Sequence, residues 1–169
     1  MMLNYSHLNS SPKVDGSVAV YDTEGNFVRR IGQRILENPS DITISNDGLI
    51  FVSTDSCVHI FGDQGDHLNK FKLQSNGCDY LRIRFHPGGE HVVIAGRERG
   101  KDLLRVEIYT KDGEFVRSAQ IQIDGIREVR GITVTNQGRI AVVTGIWKEQ
   151  CLNFGAGCQL QEYVPPSLS

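Results

Sequence analysis

An all-β chain built from repeated four-stranded antiparallel sheets is what this sequence predicts, and three observations carry the prediction. Apolar and polar residues alternate in short runs, glycine-centred turns interrupt those runs at regular intervals, and the whole pattern recurs about every 40 to 49 residues. No segment sustains the i, i+3, i+4 apolar spacing of an amphipathic helix over three turns.

The first repeated unit is a hairpin. DTEGNFVRR from Asp22 returns as GDQGDHLNK from Gly62 and as TKDGEFVRS from Thr110, so that Gly25, Gly65 and Gly113 stand 40 and 48 residues apart. Each turn follows an alternating run that ends in an aromatic: Val18, Val20, Tyr21; Val58, Ile60, Phe61; Val106, Ile108, Tyr109. A second strand follows with Phe27 and Val28, then Leu68, then Phe115 and Val116. Acidic residues beside these turns, such as Asp22 and Glu24, read as turn formers.

The second unit lies between these hairpins: SDITISNDGLIFVS from Ser40, YLRIRFHPGGEHVVIA from Tyr80 and RGITVTNQGRIAVVT from Arg130. Its glycines, Gly48, Gly89 and Gly138, are 41 and 49 residues apart and keep step with the first series. Tight hairpins need a residue at positive φ, where only glycine lacks a steric cost. Together the units make four strands per repeat, the size of one propeller blade. Such a sheet is apolar on both faces, so it must stack against copies of itself.

On these residues the chain resembles the NHL family of β-propellers. NPSDITISNDGLIFVSTDSCVHIFGDQGDHLNKF follows that family's pattern nearly end to end, while GSVAVYDTEGNFVRRIG and VEIYTKDGEFVRS follow its second half. The departures are a longer connection, GRERGKDLL, and Pro-Gly-Gly at one turn. The expected organisation is a flexible segment at 1–15, blades over 16–145, and an irregular tail at 146–169. The blades comprise two strands, two sets of four, and a final two. That is about three blades, an open or incomplete ring, since closed propellers have four to eight. Resemblance to complete single-chain rings favours a piece of a longer product over two chains that self-associate and pool three blades each.

Composition limits the partners. With 18 basic and 20 acidic residues in 169 and a net charge of −2, there is no overall field for nucleic acid or an anionic membrane. No apolar run reaches the roughly 20 residues of a membrane span, and MMLNYSHLNSSPK lacks the apolar core of a secretory signal. A cytoplasmic protein with reduced thiols at Cys57, Cys78, Cys151 and Cys158 is the expectation.

An antiparallel meander puts alternate connections at opposite ends of a blade. The glycine turns thus share one end, and irregular connections share the other, where function on rigid scaffolds usually resides. These connections hold Arg34, Arg97, Arg99, Lys101, Arg127, Arg130 and Lys148, with Tyr80 and Trp147 as contact area. The candidate partner-binding face is Arg34, Tyr80, Arg97, Arg99, Lys101, Arg127, Arg130 and Trp147. Eight acids interleave with those seven cations, which favours a protein partner over RNA, the alternative.

No catalytic motif is expected. The five histidines do not recur at one position per blade: His59 stands where Ala19 and Glu107 do, and His67 where Phe27 and Phe115 do. A metal-dependent, lyase-like propeller enzyme is thus a remote second alternative, and neither cofactor nor metal is expected. What the resemblance implies is an interaction module like the propellers that end tripartite-motif ubiquitin ligases, recognising a target for a RING domain whose cysteine-histidine pattern does not occur in these residues.

Overall fold

The computed structural model describes residues 15–74 and 77–146, with the backbone of 158–163. Among them every regular element is a β-strand, in four antiparallel sheets. The first is β1 (Asp15–Tyr21) with β2 (Phe27–Glu37). The second runs β3 (Asp41–Ile44), β4 (Ile50–Ser53), β5 (Cys57–Phe61) and β6 (His67–Lys72). The third runs β7 (Cys78–Phe85), β8 (His91–Glu98), β9 (Leu103–Thr110) and β10 (Phe115–Gln122). The fourth joins β11 (Ile126–Val134), β12 (Ile140–Ile146) and β13 (Cys158–Tyr163).

The two faces of one strand decide how the sheets stack. In β4, Phe51 packs toward the third sheet while its neighbour Val52 packs toward the first. In β8, Val92 and Ile94 face the second sheet, whereas Val93 and Ala95 face the fourth. A two-layer sandwich would leave one face of each sheet in water. Here the middle sheets bury both, each Val or Ile withdrawn from solvent contributing about 1.5–3 kcal/mol. The first strands lie side by side across sheets, β3 against β7 and β7 against β11. These are blades of an open, partial β-propeller.

The inner edge of a blade has no fifth strand to pair with, so its backbone groups need other partners. Side chains of the preceding blade supply them: the Ile83 N–H donates to Asp41 Oδ2 at 3.0 Å and the Phe85 N–H to Thr43 Oγ1 at 3.1 Å. Arg82 Nε likewise donates to the Arg130 carbonyl of the following blade at 3.2 Å, and in the opposite sense Arg84 Nη1 donates to the Ile42 carbonyl of the preceding one at 3.3 Å.

All six predicted turns share one geometry. Gly25, Gly48, Gly65, Gly89, Gly113 and Gly138 have φ between 79° and 95°, and each N–H donates to the carbonyl three residues back at 2.9 to 3.1 Å. Where the first turn residue has a short polar side chain, that oxygen accepts one more N–H: Asp22 from Asn26, Ser45 from Leu49, Thr110 from Glu114 and Thr135 from Arg139. The turn-forming role read for Asp22 is thus direct. A bulge after each outer turn brings an aromatic pair edge to face: Tyr21 with Phe27 at 5.9 Å, Phe61 with His67 at 5.2 Å, and Tyr109 with Phe115 at 5.7 Å.

The expected irregular tail from 146 onward gives way at β13. It pairs with β12 from Ile140↔Tyr163 to Gly145↔Cys158, so Tyr163 holds the register position that Tyr109 holds beside Val92. The alternation that marks other third strands is broken there by Glu162, at the position of Ile60 and Ile108.

Candidate functional site

The irregular end of the blades is more ordered than its sequence implies. Arg34, Tyr80, Arg97, Arg127 and Arg130 read as loop residues in the sequence, but Arg34 lies within β2, Tyr80 within β7, Arg97 within β8, and Arg127 and Arg130 within β11. The reason is bulging. Gly32, Arg34 and Tyr80 take φ of 73°, 62° and 57°, and the pairing of β2, β7 and β11 with their neighbours shifts register there, so the strands absorb extra residues and continue. Of the described candidates, only Arg99 and Lys101 occupy a true turn, between β8 and β9. Trp147 lies outside the described residues.

Charge is settled locally along this rim. Arg99 grips Asp79 with Nη2 at 2.7 Å and Nε at 3.1 Å from Oδ1. Arg130 reaches Glu128 with Nη2 at 2.7 Å, and Lys101 bonds Glu98 within its own turn. The Lys101 ammonium holds the Glu98 carboxyl below the usual carboxylate range, and the Asp79 carboxylate raises the affinity of Arg99 for its proton. Asn38 donates to Asp55 at 3.0 Å on the same rim. Arg34 lines an open polar cleft with Asp15, Gly16, Ser17 and Gln33. Tyr80 is half exposed, and non-glycine residues at positive φ are uncommon enough to mark a constrained position. Arg97 sits opposite Asp79 across the sheet, with its Nε buried and without a hydrogen-bond partner.

Two polar clusters between blades were not legible as such. Glu107 is buried in β9, where its carboxylate accepts from Arg105 Nε at 2.8 Å and from the Tyr109 hydroxyl at 2.6 Å; that hydroxyl also accepts the Gln74 N–H of the preceding blade at 2.8 Å. Burial, then the Glu107 carboxylate, pushes the Tyr109 phenol well above its ordinary range. At the equivalent place in β5, His59 Nδ1 lies 3.1 Å from His67 Nε2. Burial, with His67 and Lys70 nearby, lowers the His59 pKa. The substitution of Ala19 by His59 and Glu107 along the repeat was the signal available. Among the described residues no three His, Cys, Asp or Glu side chains converge as a metal centre would require, Cys57 and Cys78 form no disulfide, and no helix is long and apolar enough to cross a membrane.

No protein-family model matches this chain, and no curated protein does either. Solved structures do. Hydrazine synthase of Kuenenia stuttgartiensis aligns over 85% of this chain with a TM-score of 0.66 at 18% identity, and a protein of unknown function from Bacteroides caccae over 80% with a TM-score of 0.54 at 14% identity. The chain spans 44% and 54% of those two chains. At such identities the likeness is one of fold, and it agrees with the open propeller described above.

Proposed function

We propose that this chain is an NHL-type interaction module whose irregular rim binds a protein partner. The observation that carries the reading is the combination of a constrained, half-exposed Tyr80 with two arginines, Arg99 and Arg130, each already paired to a carboxylate. Tyrosine and arginine are the residue types that anchor protein interfaces. Phosphate binding instead draws on unneutralised cations, which Arg99, Lys101 and Arg130 are not. The buried Nε of Arg97 offers a donor that an incoming acceptor would satisfy. Binding energy is all this face supplies in the proposal. Target recognition in a tripartite-motif-like ubiquitin ligase is the setting that the resemblance to NHL propellers implies, with the ligase chemistry in a RING domain outside these residues.

A photo-reactive amino acid placed at Tyr80, with a second at Asn46 on the glycine-turn end as reference, tests the assignment. Defined protein adducts at position 80 that vanish with Arg99→Glu are expected. Equal labelling at the two ends would overturn it, as would recovery of RNA whose binding falls steeply with salt.

A further inference from the structure

Among the described residues, the first blade presents a blade interface with nothing upon it. Tyr21, Phe61 and Tyr109 hold one repeat position, on the face turned toward the preceding blade, and they are 59%, 0% and 1% exposed. Ala19 is likewise exposed where His59 and Glu107 are buried. The turn glycines repeat the contrast. Gly65 packs on Ile31 of the blade before and Gly113 on Phe71, so closely that a Cβ would stand 2.4 Å and 2.6 Å from those side chains; Gly25 has no neighbour within 4 Å.

Ile31 and Phe71 receive those turns from equivalent positions on the fourth strands β2 and β6. The next member of that series, 48 residues after Phe71, is Ala119 on β10. Together with Val106, Ile108, Arg117 and Ser118 it lines a small apolar notch. The fourth sheet lays β13 along β12, but among the described residues no fourth strand and no turn glycine follow to fill that notch.

We propose that the two surfaces meet in trans. The β1–β2 hairpin of one copy seats Tyr21 and its Gly25 turn on the Ala119 notch of a second copy, with β1 lying along β12 in place of β13. The open hairpin and the open notch are the next terms of the same series, which is what selects a second copy of this chain as the occupant. β1 also carries Val18 and Val20 at the positions of Val58 and Ile60, where β13 has Leu160 and Glu162. Each junction completes a four-stranded blade, and two copies close a two-fold ring of six blades, within the range of closed propellers.

Sedimentation of the 169-residue chain, of Tyr21→Glu and of Ala119→Arg decides the matter. The unaltered chain is expected at twice its 18.8 kDa monomer mass at micromolar concentration. Each substitution should weaken association at least about tenfold, the cost of a charge at a buried apolar contact, while leaving far-ultraviolet circular dichroism unchanged. Mixing the two variants should restore the dimer, because one junction is then unaltered and the other sets the introduced carboxylate against the introduced guanidinium; two misfolded proteins would not rescue each other. A monomeric unaltered chain, a dimer indifferent to both substitutions, or failure of the mixture to associate would each overturn the proposal.

Discussion

The junction of the first and second blades and that of the second and third solve one problem differently. At the same place in the repeat, one sets the buried His59 imidazole against the exposed His67 ring, and the other buries a carboxylate held by Arg105 and Tyr109. Backbone and bulge are alike in both, and so is the edge-to-face aromatic pair. The position therefore tolerates a polar group of either kind, provided that its partners come with it. What differs is how each junction fails: the carboxylate cluster by losing a partner, the imidazole pair by gaining a proton.

The largest effect should come from Glu107→Ala. Removing a buried carboxylate strands the Arg105 guanidinium, and breaking such pairs costs about 3–5 kcal/mol. Urea denaturation should register that loss with little change in slope. A cost of about 1–2 kcal/mol is expected from Tyr109→Phe, which keeps the ring against Phe71 but leaves Glu107 and the Gln74 N–H each one bond short.

Gly113→Ala and Gly48→Ala separate crowding from backbone strain. Both glycines are at positive φ, so either substitution costs about 1–2 kcal/mol of strain. Only Gly113 also abuts Phe71, hence thermal unfolding should rank Gly113→Ala as the more damaging.

The smallest effect is the pH dependence of the imidazole pair. Because the folded state lowers the His59 pKa, the unfolded chain binds the proton more readily. Stability from this group is complete above the unfolded value near 6.5 and declines as pH falls below it toward the folded pKa. His59→Phe should flatten that part of the profile, measured as denaturation midpoint against pH, and leave the Glu107 junction untouched.

Much of this architecture could be read before any coordinates. Turn glycines and terminal aromatics recur at a fixed distance because positive φ and blade packing leave few alternatives at those positions. The bulges at Arg34 and Tyr80 could not be read, since a non-glycine residue in left-handed conformation carries no local mark. Glu107 was equally silent: a charged residue in an alternating strand reads as solvent-facing until its partners, two residues away on either side, are seen to share its face. β13 escaped because the connection across 147–157 breaks the period and Glu162 interrupts the pattern. Of the candidate rim, the residue types were legible but not their pairing, which depends on backbone register.

The bonds from Asp41 and Thr43 to the inner edge of β7 have a practical consequence. They join residues 42 positions apart and belong to no single sheet. The amide protons of Ile83 and Phe85 are consequently gauges of docking between blades, whereas amides inside each meander answer to that blade alone. Hydrogen exchange at these two sites would reveal one wedge swinging away from the next while both stay folded, a hinge motion to which bulk spectroscopy is blind.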